Sequence, residues 1–314
     1  MADVNKFDIL VIGSLNADLV VRAPRFPKPG ETLGGGDLLT IPGGKGANQA
    51  VAAARQGVQV GMVGRVGSDN FGPVLVENLK SNHVDTSRVA TADSATGTAI
   101  IVVDDDGQNS IVLSAGANGQ VLAADVDSAP DAKILLLQFE IPMETVVHAA
   151  KRYKARGAAV ILNPAPARSI PNELLASVDI LVPNESELSL LTGIPVGDES
   201  SAELAAREIL KQGVKIVIVT LGSRGALIVT ESQVIQVDAF KVDVVDTTAA
   251  GDAFIGGFAA KLLAVNAQSV DFAVDLSVLE GAVRYGCACG ALAATKLGAQ
   301  PSLPSKADVA AFMQ

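Results

Sequence analysis

The chain has no tryptophan, two histidines and two cysteines among its 314 residues, and only 4% of it is aromatic. So few rings leave little from which to build a stacking platform for single-stranded nucleic acid. Two histidines, His83 and His148, are too few for a multi-histidine metal centre and leave a triad hydrolase hardly any base to choose from. Both are read as surface or helix positions. Cys287 and Cys289 stand at i,i+2 of a predicted helix, where their side chains diverge. Neither a mutual disulfide nor a zinc knuckle is expected of them, and both are read as small core residues.

Positive charge is also short. Lys and Arg number 24 against 34 Asp and Glu, a net charge of -10, which disfavours DNA, RNA and anionic membrane as partners. A nucleotide remains compatible, because Mg²⁺ offsets much of its charge and a few local amides hold the rest. No apolar run approaches the 18 residues of a membrane span, and the start, Met1 to Lys6, lacks the basic-then-apolar pattern of a secretory leader. A cytoplasmic protein is expected.

What is present is aliphatic: 49% of the chain is apolar and only 18% charged, as expected when parallel strands are covered on both faces. Short β-branched runs at Ile9 to Ile12, Ile134 to Leu137, Val160 to Leu162, Ile180 to Val182 and Ile216 to Val219 read as buried strands. Helical stretches such as Glu144 to Arg156 and Ala202 to Gln212 lie between them, which predicts a doubly wound α/β body. No repeat, linker or shift of composition divides the chain, so residues 1–314 are expected to form one domain.

Two segments break the β-α rhythm, at about 18–42 and 96–116. The first is rich in Pro and Gly, and in the second apolar runs flank Asp104-Asp105-Asp106-Gly107, a hairpin signal. Neither carries a crossover helix, so the two are expected to pair as a small antiparallel sheet, a lid over a site. Its exposed strand edges suggest a homodimer that pairs or packs lids. The Asp triplet reads as a solvated turn rather than a metal site.

Asp246-Thr247-Thr248-Ala249-Ala250-Gly251-Asp252 follows the strand-like Phe240 to Val245 and leads into a helical pattern from Phe254 to Leu263. Small residues Ala249, Ala250 and Gly251 let backbone amides and the positive end of the helix dipole face an anion. Phosphoryl transfer asks for that placement plus one residue to accept the proton of the attacking hydroxyl. Asp252 suits that role, and equally reads as an ordinary acidic residue in a first helical turn. Gly43-Gly44-Lys45-Gly46-Ala47-Asn48 forms a second glycine loop opening a helix from Ala50 to Gln56. Neither a Walker A sequence nor a Gly-x-Gly-x-x-Gly fingerprint occurs, and Lys45 and Asn48 add donors suited to sugar hydroxyls. A last helix from about Asp275 to Thr295 ends at Gly298, read as its C-cap.

Residues 43–57 and 246–256 resemble the two signature regions of the ribokinase, or PfkB, family of carbohydrate kinases. The likeness runs along the whole chain through Gly13-Ser14-Leu15-Asn16-Ala17-Asp18, Asn163-Pro164-Ala165-Pro166-Ala167, Asn184-Glu185-Ser186-Glu187 and Gly298-Ala299-Gln300-Pro301-Ser302. The resemblance implies a three-layer α/β/α sandwich with a mostly parallel central sheet and a small β lid. It also implies an ATP-dependent kinase acting on the 5-hydroxyl of D-ribose, with Asp252 as base and an anion hole at 249–252. Asn16, Asp18, Gly44, Lys45, Asn48 and Glu140 would hold the sugar, as strand exits converging on one ligand allow. Asn184 and Glu187 would help place Mg²⁺ and phosphates, although the pair also reads as a capping box. Thr220, Gly222, Ser223 and Gly225 would line the ATP site and equally form an ordinary turn. Asp246, Thr248, Ala293, Lys296, Gly298 and Ser302 match the positions that bind a K⁺-like monovalent cation in the family. The stretch Leu263 to Glu280 is longer than is usual there, so no residue near Gly286 and Cys287 is assigned to adenine. A kinase for deoxyribose, fructose or adenosine, and a non-catalytic sugar-binding regulator, remain as alternatives.

Overall fold

A computed structural model describes residues 6–265 and 276–314. The chain begins with β1 (Lys6–Ile12), β2 (Asn16–Arg22) and β3 (Leu39–Gly43), then α1 (Lys45–Ala54), β4 (Val60–Gly67), α2 (Phe71–Ser81) and β5 (Val84–Ala92). A hairpin follows, β6 (Gly97–Val103) and β7 (Asn109–Ser114), and then α3 (Ala123–Asp127), β8 (Asp131–Leu137), α4 (Met143–Ala155) and β9 (Ala159–Leu162). Next come α5 (Asn172–Leu175), β10 (Ile180–Leu181), α6 (Glu185–Thr192), α7 (Glu199–Leu210), β11 (Ile216–Thr220), β12 (Ala226–Val229) and β13 (Val234–Val237). The helices α8 (Ala250–Val265), α9 (Leu276–Ala293), α10 (Ala299–Ser302) and α11 (Lys306–Phe312) complete the order.

The main sheet runs β13-β12-β11-β10-β9-β8-β1-β4-β5, parallel from β11 to β5 and antiparallel only at β12 and β13. Its unbroken apolar strands follow from burial on both sides. In β1, Ile9 and Val11 pack with α1, α8 and α9, while Leu10 and Ile12 pack with α4 and α7. All four are fully buried, and alternate side chains feed the two opposite cores of an α/β/α sandwich. The five strands read from the β-branched runs are present. His83 is exposed between α2 and β5, and His148 lies on α4 with its ring 2.9 Å from Asp127.

The small sheet has the order β3-β2-β6-β7. It is made of two antiparallel hairpins, β2 with β3 and β6 with β7, joined by a parallel seam between β2 and β6. The seam is parallel because β2 continues from β1 and β6 from β5, and β1 and β5 point the same way in the main sheet. Asp104 organises the turn of the second hairpin: its Oδ1 accepts the N–H groups of Asp106 and Gln108 at 3.0 and 2.8 Å, and Asp105 and Asp106 face solvent.

Three local expectations are corrected. The helix expected from Ala50 starts at Lys45, so Lys45 and Asn48 belong to its first turn rather than to the loop. Phe240 to Val245 is irregular chain, since β13 already ends at Val237 and the segment has no strand beside it. The last long helix ends at Ala293, and Gly298, with φ +85°, starts α10 instead of capping α9. The insertion noted between Leu263 and Glu280 lies for the most part in 266–275, outside the described residues.

Candidate active site

Ser14 and Asn16 follow β1, Gln138 and Glu140 follow β8, Asn163 follows β9 and Asn184 follows β10, so four parallel strands send polar groups past their carboxyl ends, the edge at which open α/β sheets bind ligands. Asp252 sits in the first turn of α8 and is 5% exposed. Its Oδ2 accepts from Asn48 Nδ2 at 2.9 Å and its Oδ1 from Gln49 Nε2 at 3.0 Å, both on α1. Helices α1 and α8 pack on one another through the same core, so the glycine loop and the 246–252 turn meet at one place. Gly44 makes the close approach of that loop possible. Its φ is +88°, and a Cβ there would lie 2.7 Å from the N of Asn16 and 2.9 Å from the O of Ser14.

Glu140, just past β8, joins the cluster. One of its oxygens accepts from Ser14 Oγ at 2.5 Å, from the Lys45 N–H at 3.1 Å and from Asn16 Nδ2 at 3.4 Å. Asn118 holds Asn16 from the other side: its Nδ2 donates to Asn16 Oδ1 at 2.7 Å and to the Leu15 carbonyl at 3.1 Å, while its Oδ1 accepts from Leu15 N–H at 2.9 Å. Asn16, Asp18, Gly44, Lys45, Asn48, Glu140 and Asp252, the positions named through the resemblance, thus lie together in one cluster. Burial, then the charges of Glu140 and Asp252, push Asp18 up to about 7 against the pull of Lys45. Burial alone would lower the Lys45 ammonium, but Asp252, Glu140, Glu187 and Asp18 around it hold it above its ordinary value. Asn48 Oδ1 is buried with no protein donor, which leaves an acceptor for a ligand hydroxyl.

Beside this cluster opens a cavity of about 620 Å³ lined by Asn184, Thr220, Gly222, Ser223, Gly225 and Gly251. Gly225 must be glycine, because φ is +91° and a Cβ would meet the Val237 carbonyl at 2.0 Å. Phe240, Val242 and Val244 form one wall, and Cys287, Gly290, Ala291 and Ala294 on α9 and just beyond it form another. The irregular 240–245 segment is therefore cavity wall, and Cys287 faces the cavity half-buried while Cys289 is in the core.

Asn184 and Glu187 form a reciprocal capping box on α6, with Asn184 N–H to Glu187 Oε2 at 2.9 Å and Glu187 N–H to Asn184 Oδ1 at 2.8 Å. Burial raises the pKa of Glu187; the Asn184 N–H and then Lys45 oppose this, and Asp252 adds to it, so Glu187 faces the same space as the lysine. At the 246–252 turn, Ala249 has φ +59° and Ala250 N–H donates to Thr247 O at 3.2 Å. That bond occupies one of the amides expected in the anion hole and leaves the first-turn N–H groups of Gly251 and Asp252 to face the cavity edge.

Asp246 fastens the turn to the chain after α9: its Oδ1 accepts from Thr248 N–H and its Oδ2 from Gly298 N–H, each at 2.9 Å. Among the described residues no three His, Cys, Asp or Glu side chains gather as a metal site. Of the six cation positions, Asp246, Thr248 and Gly298 are brought into contact. Ala293 ends α9, its carbonyl accepting from Lys296 N–H at 3.2 Å, and Ser302 turns its hydroxyl to Ala299 O.

Sequence reasoning gave no role to Ser14, Gln49, Asn118, Gln138 or Asn163, all polar and all but Ser14 able to serve as plain amide helix or turn residues. For Ser14, Gln138 and Asn163 the available signal was a polar residue just past a strand's carboxyl end.

An open, mostly parallel sheet with a second small sheet, a buried polar cluster next to a cavity of about 620 Å³, and a helix N-terminus between them are the parts a small-molecule phosphotransferase requires. Residues 6–306 match the family model for pfkB family carbohydrate kinases, and the chain belongs to that family. It is similar to the ribokinase of Haemophilus influenzae, 40% identical over 98% of both chains. It is also similar to the deoxyribokinase of Salmonella typhi, 39% identical over 95% of this chain and 96% of that protein. Among solved structures, that of Arabidopsis thaliana ribokinase complexed with ribose and ATP superposes with a TM-score of 0.87 at 36% identity, covering 98% of this chain and 99% of the other. The protein is an ATP-dependent sugar kinase with the three-layer fold of that family.

Proposed function

We propose that this kinase transfers the γ-phosphoryl group of ATP to the 5-hydroxyl of D-ribose, giving ribose 5-phosphate. The observation that carries the reading is the position of Asp252. Its buried carboxylate is shared with the hydroxyl-binding cluster, while the preceding Gly251 lines the nucleotide cavity. Asn16, Asp18, Asn48 and Glu140 supply acceptors and amides for a polyhydroxylated ring, and Gly44 and Lys45 close around it. On the lid, Ala99, Ile101, Ile111 and Leu113 share a face with Asn16 and Asp18 by strand register, and offer apolar cover that keeps water from the phosphoryl group.

Asp252 takes the proton of the attacking hydroxyl as the new O–P bond forms and the bond from the γ-phosphorus to the β–γ bridging oxygen breaks, with ADP as the leaving group. The N–H groups of Gly251 and Asp252, at the positive end of the α8 dipole, stabilise charge on the moving group. Asn184, Thr220, Gly222, Ser223 and Gly225 hold the nucleotide. Mg²⁺, when bound with ATP, neutralises phosphate charge, and with Asn184 and Glu187 already paired to each other it would be met through its water shell. Asp246, Thr248, Ala293, Lys296, Gly298 and Ser302 would hold K⁺ largely through main-chain oxygens, which suits a large, weakly demanding cation and steadies the turn bearing the anion-binding amides. The chain works as one catalytic unit in the cytoplasm, where ATP is present and its two free thiols persist.

The test is turnover of ATP and Mg²⁺ with D-ribose by the native protein and by Asp252→Asn, with the phosphate located on the product. Asp252→Asn should lose about 10²- to 10⁴-fold in kcat, and an undiminished rate would remove Asp252 from its role. A second reading, 2-deoxyribose as acceptor, is favoured by the likeness to deoxyribokinase. It is the better one if deoxyribose gives the higher kcat/KM in the same assay.

A further inference from the structure

The Asp252 carboxylate is held by two amides, and only one of them lies where a sugar can reach it. Asn48 faces the hydroxyl-binding cluster. Gln49 is fully buried behind the base, so no substrate atom touches it. A side-chain amide has two N–H hydrogens and one carbonyl oxygen, and in Gln49 all of them are engaged. Nε2 donates to Asp252 Oδ1 at 3.0 Å and to Asn163 Oδ1 at 3.3 Å, and Oε1 accepts from Gln138 Nε2 at 2.6 Å. Asn163 is pinned in turn by its Nδ2, which donates to the Val182 carbonyl at 3.0 Å. Gln138 and Asn163 immediately follow β8 and β9, so the carboxyl ends of two central strands fix one amide on α1.

We propose that Gln49 is a positioning residue for the base, clamped from behind by Gln138 and Asn163; this rests on the reading of Asp252 as the base. The start of α8 sets the backbone of Asp252 but leaves the carboxylate free to rotate about its last bond. A base needs a lone pair aimed at the hydroxyl, and an ionised carboxylate can only accept hydrogen bonds. Gln49 must therefore show it an N–H. Were the amide turned over, Gln49 Oε1 would face two acceptors, the carboxylate and Asn163 Oδ1, in a site closed to water, and Asn163 cannot turn to suit it because its Nδ2 is held by the Val182 carbonyl. Asn163 thus sets the sense of the amide, Gln138 clamps its oxygen, and Gln49 sets the plane of the carboxylate. Asn48 keeps its buried, unpartnered oxygen for the substrate.

The test is a set of cycles in steady-state kinetics with ATP and D-ribose. Gln49→Met keeps the length of the side chain and removes the donor; Gln138→Met removes the clamp. Gln49→Met should lower kcat about 10- to 100-fold with both KM values within about threefold of native, and Gln138→Met should lower it less. The double variant should be no slower than Gln49→Met, and neither change should slow Asp252→Asn any further, because nothing is then left to aim. Native kcat in Gln49→Met, a loss confined to KM, or losses that multiply in the double variant would each overturn the proposal. If Gln49→Met does not fold, Gln138→Met decides alone: its kcat must fall at constant KM, and it must have no effect in the Asp252→Asn background. An Asp252→Asn protein with native kcat removes the base itself, whereas an inactive Asp252→Asn beside an unaffected Gln49→Met sinks this proposal only.

Discussion

Asp18 shows most directly what the site costs the fold. An aspartate free in the unfolded chain ionises near 3.8, and in the folded protein burial and the neighbouring Glu140 and Asp252 move it up to about 7. A raised carboxyl pKa means that the fold resists the charge. The penalty is absent below about pH 4, grows as pH rises to about 7, and is complete above that. Asp18→Asn should therefore be more stable than native at pH 8, by on the order of 2 kcal/mol, with the advantage shrinking as pH falls toward 4. Thermal unfolding at the two pH values checks this, and a constant difference would contradict the cause given. Asn118→Ala belongs to the same scale. It leaves the main chain of Leu15 and the side-chain oxygen of Asn16 without partners, so a stability loss of about 2 to 3 kcal/mol and a ribose KM raised about tenfold are expected.

At the scale of elements, the turn before α8 carries the only described non-glycine residue besides His83 with a positive φ. Ala249→Gly should relieve that strain and leave both the turn and the activity in place, whereas Ala249→Val should lose most activity, because a β-branched residue resists φ +59°. Kinetics of the two variants give the comparison. Elements also show where sequence was a sufficient guide. Buried parallel strands such as Ile134 to Leu137 need apolar side chains on both faces, so they stand out as unbroken runs. Helix α1 was harder to read. Its first turn, Lys-Gly-Ala-Asn, has weak helix propensity, and it forms because Gly46 packs closely on Gly13 and Ser14, a contact made across the sheet and not along the chain. Phe240 to Val245 has the composition of a strand, but its apolar residues Phe240, Val242 and Val244 line the cavity rather than a sheet face. Gln49 was illegible for a different reason: in an Ala-rich helix an amide looks like any helix former until the carboxylate it faces comes from 203 residues away.

For the whole molecule, the lid offers the surface most in need of a partner. Ile100 and Val112 are exposed on the face opposite to Asn16 and Asp18, and β3 and β7 are open edges. We propose a homodimer joined through the lids. Sedimentation should give twice the chain mass for the native protein, and Val112→Asp should shift it toward a single chain; a native monomer would discard the proposal. Potassium dependence, if carried by the turn at 246–248, should be lost in Asp246→Ala, and the rate measured without K⁺ should fall as well, because Asp246 also fastens that turn to Gly298.

The parallel seam of the lid has one more consequence. Asn16 and Asp18 are the opening rungs of β2, aligned with Gly97 and Ala99 of β6, and both strands spring from the main sheet over short connections at 13–15 and 93–96. With Asn16 and Asp18 as the sugar contacts proposed above, any tilt of the small sheet carries those contacts with it. Jaw and gauge would then be one piece, and an acceptor of the wrong span would leave the jaw ajar.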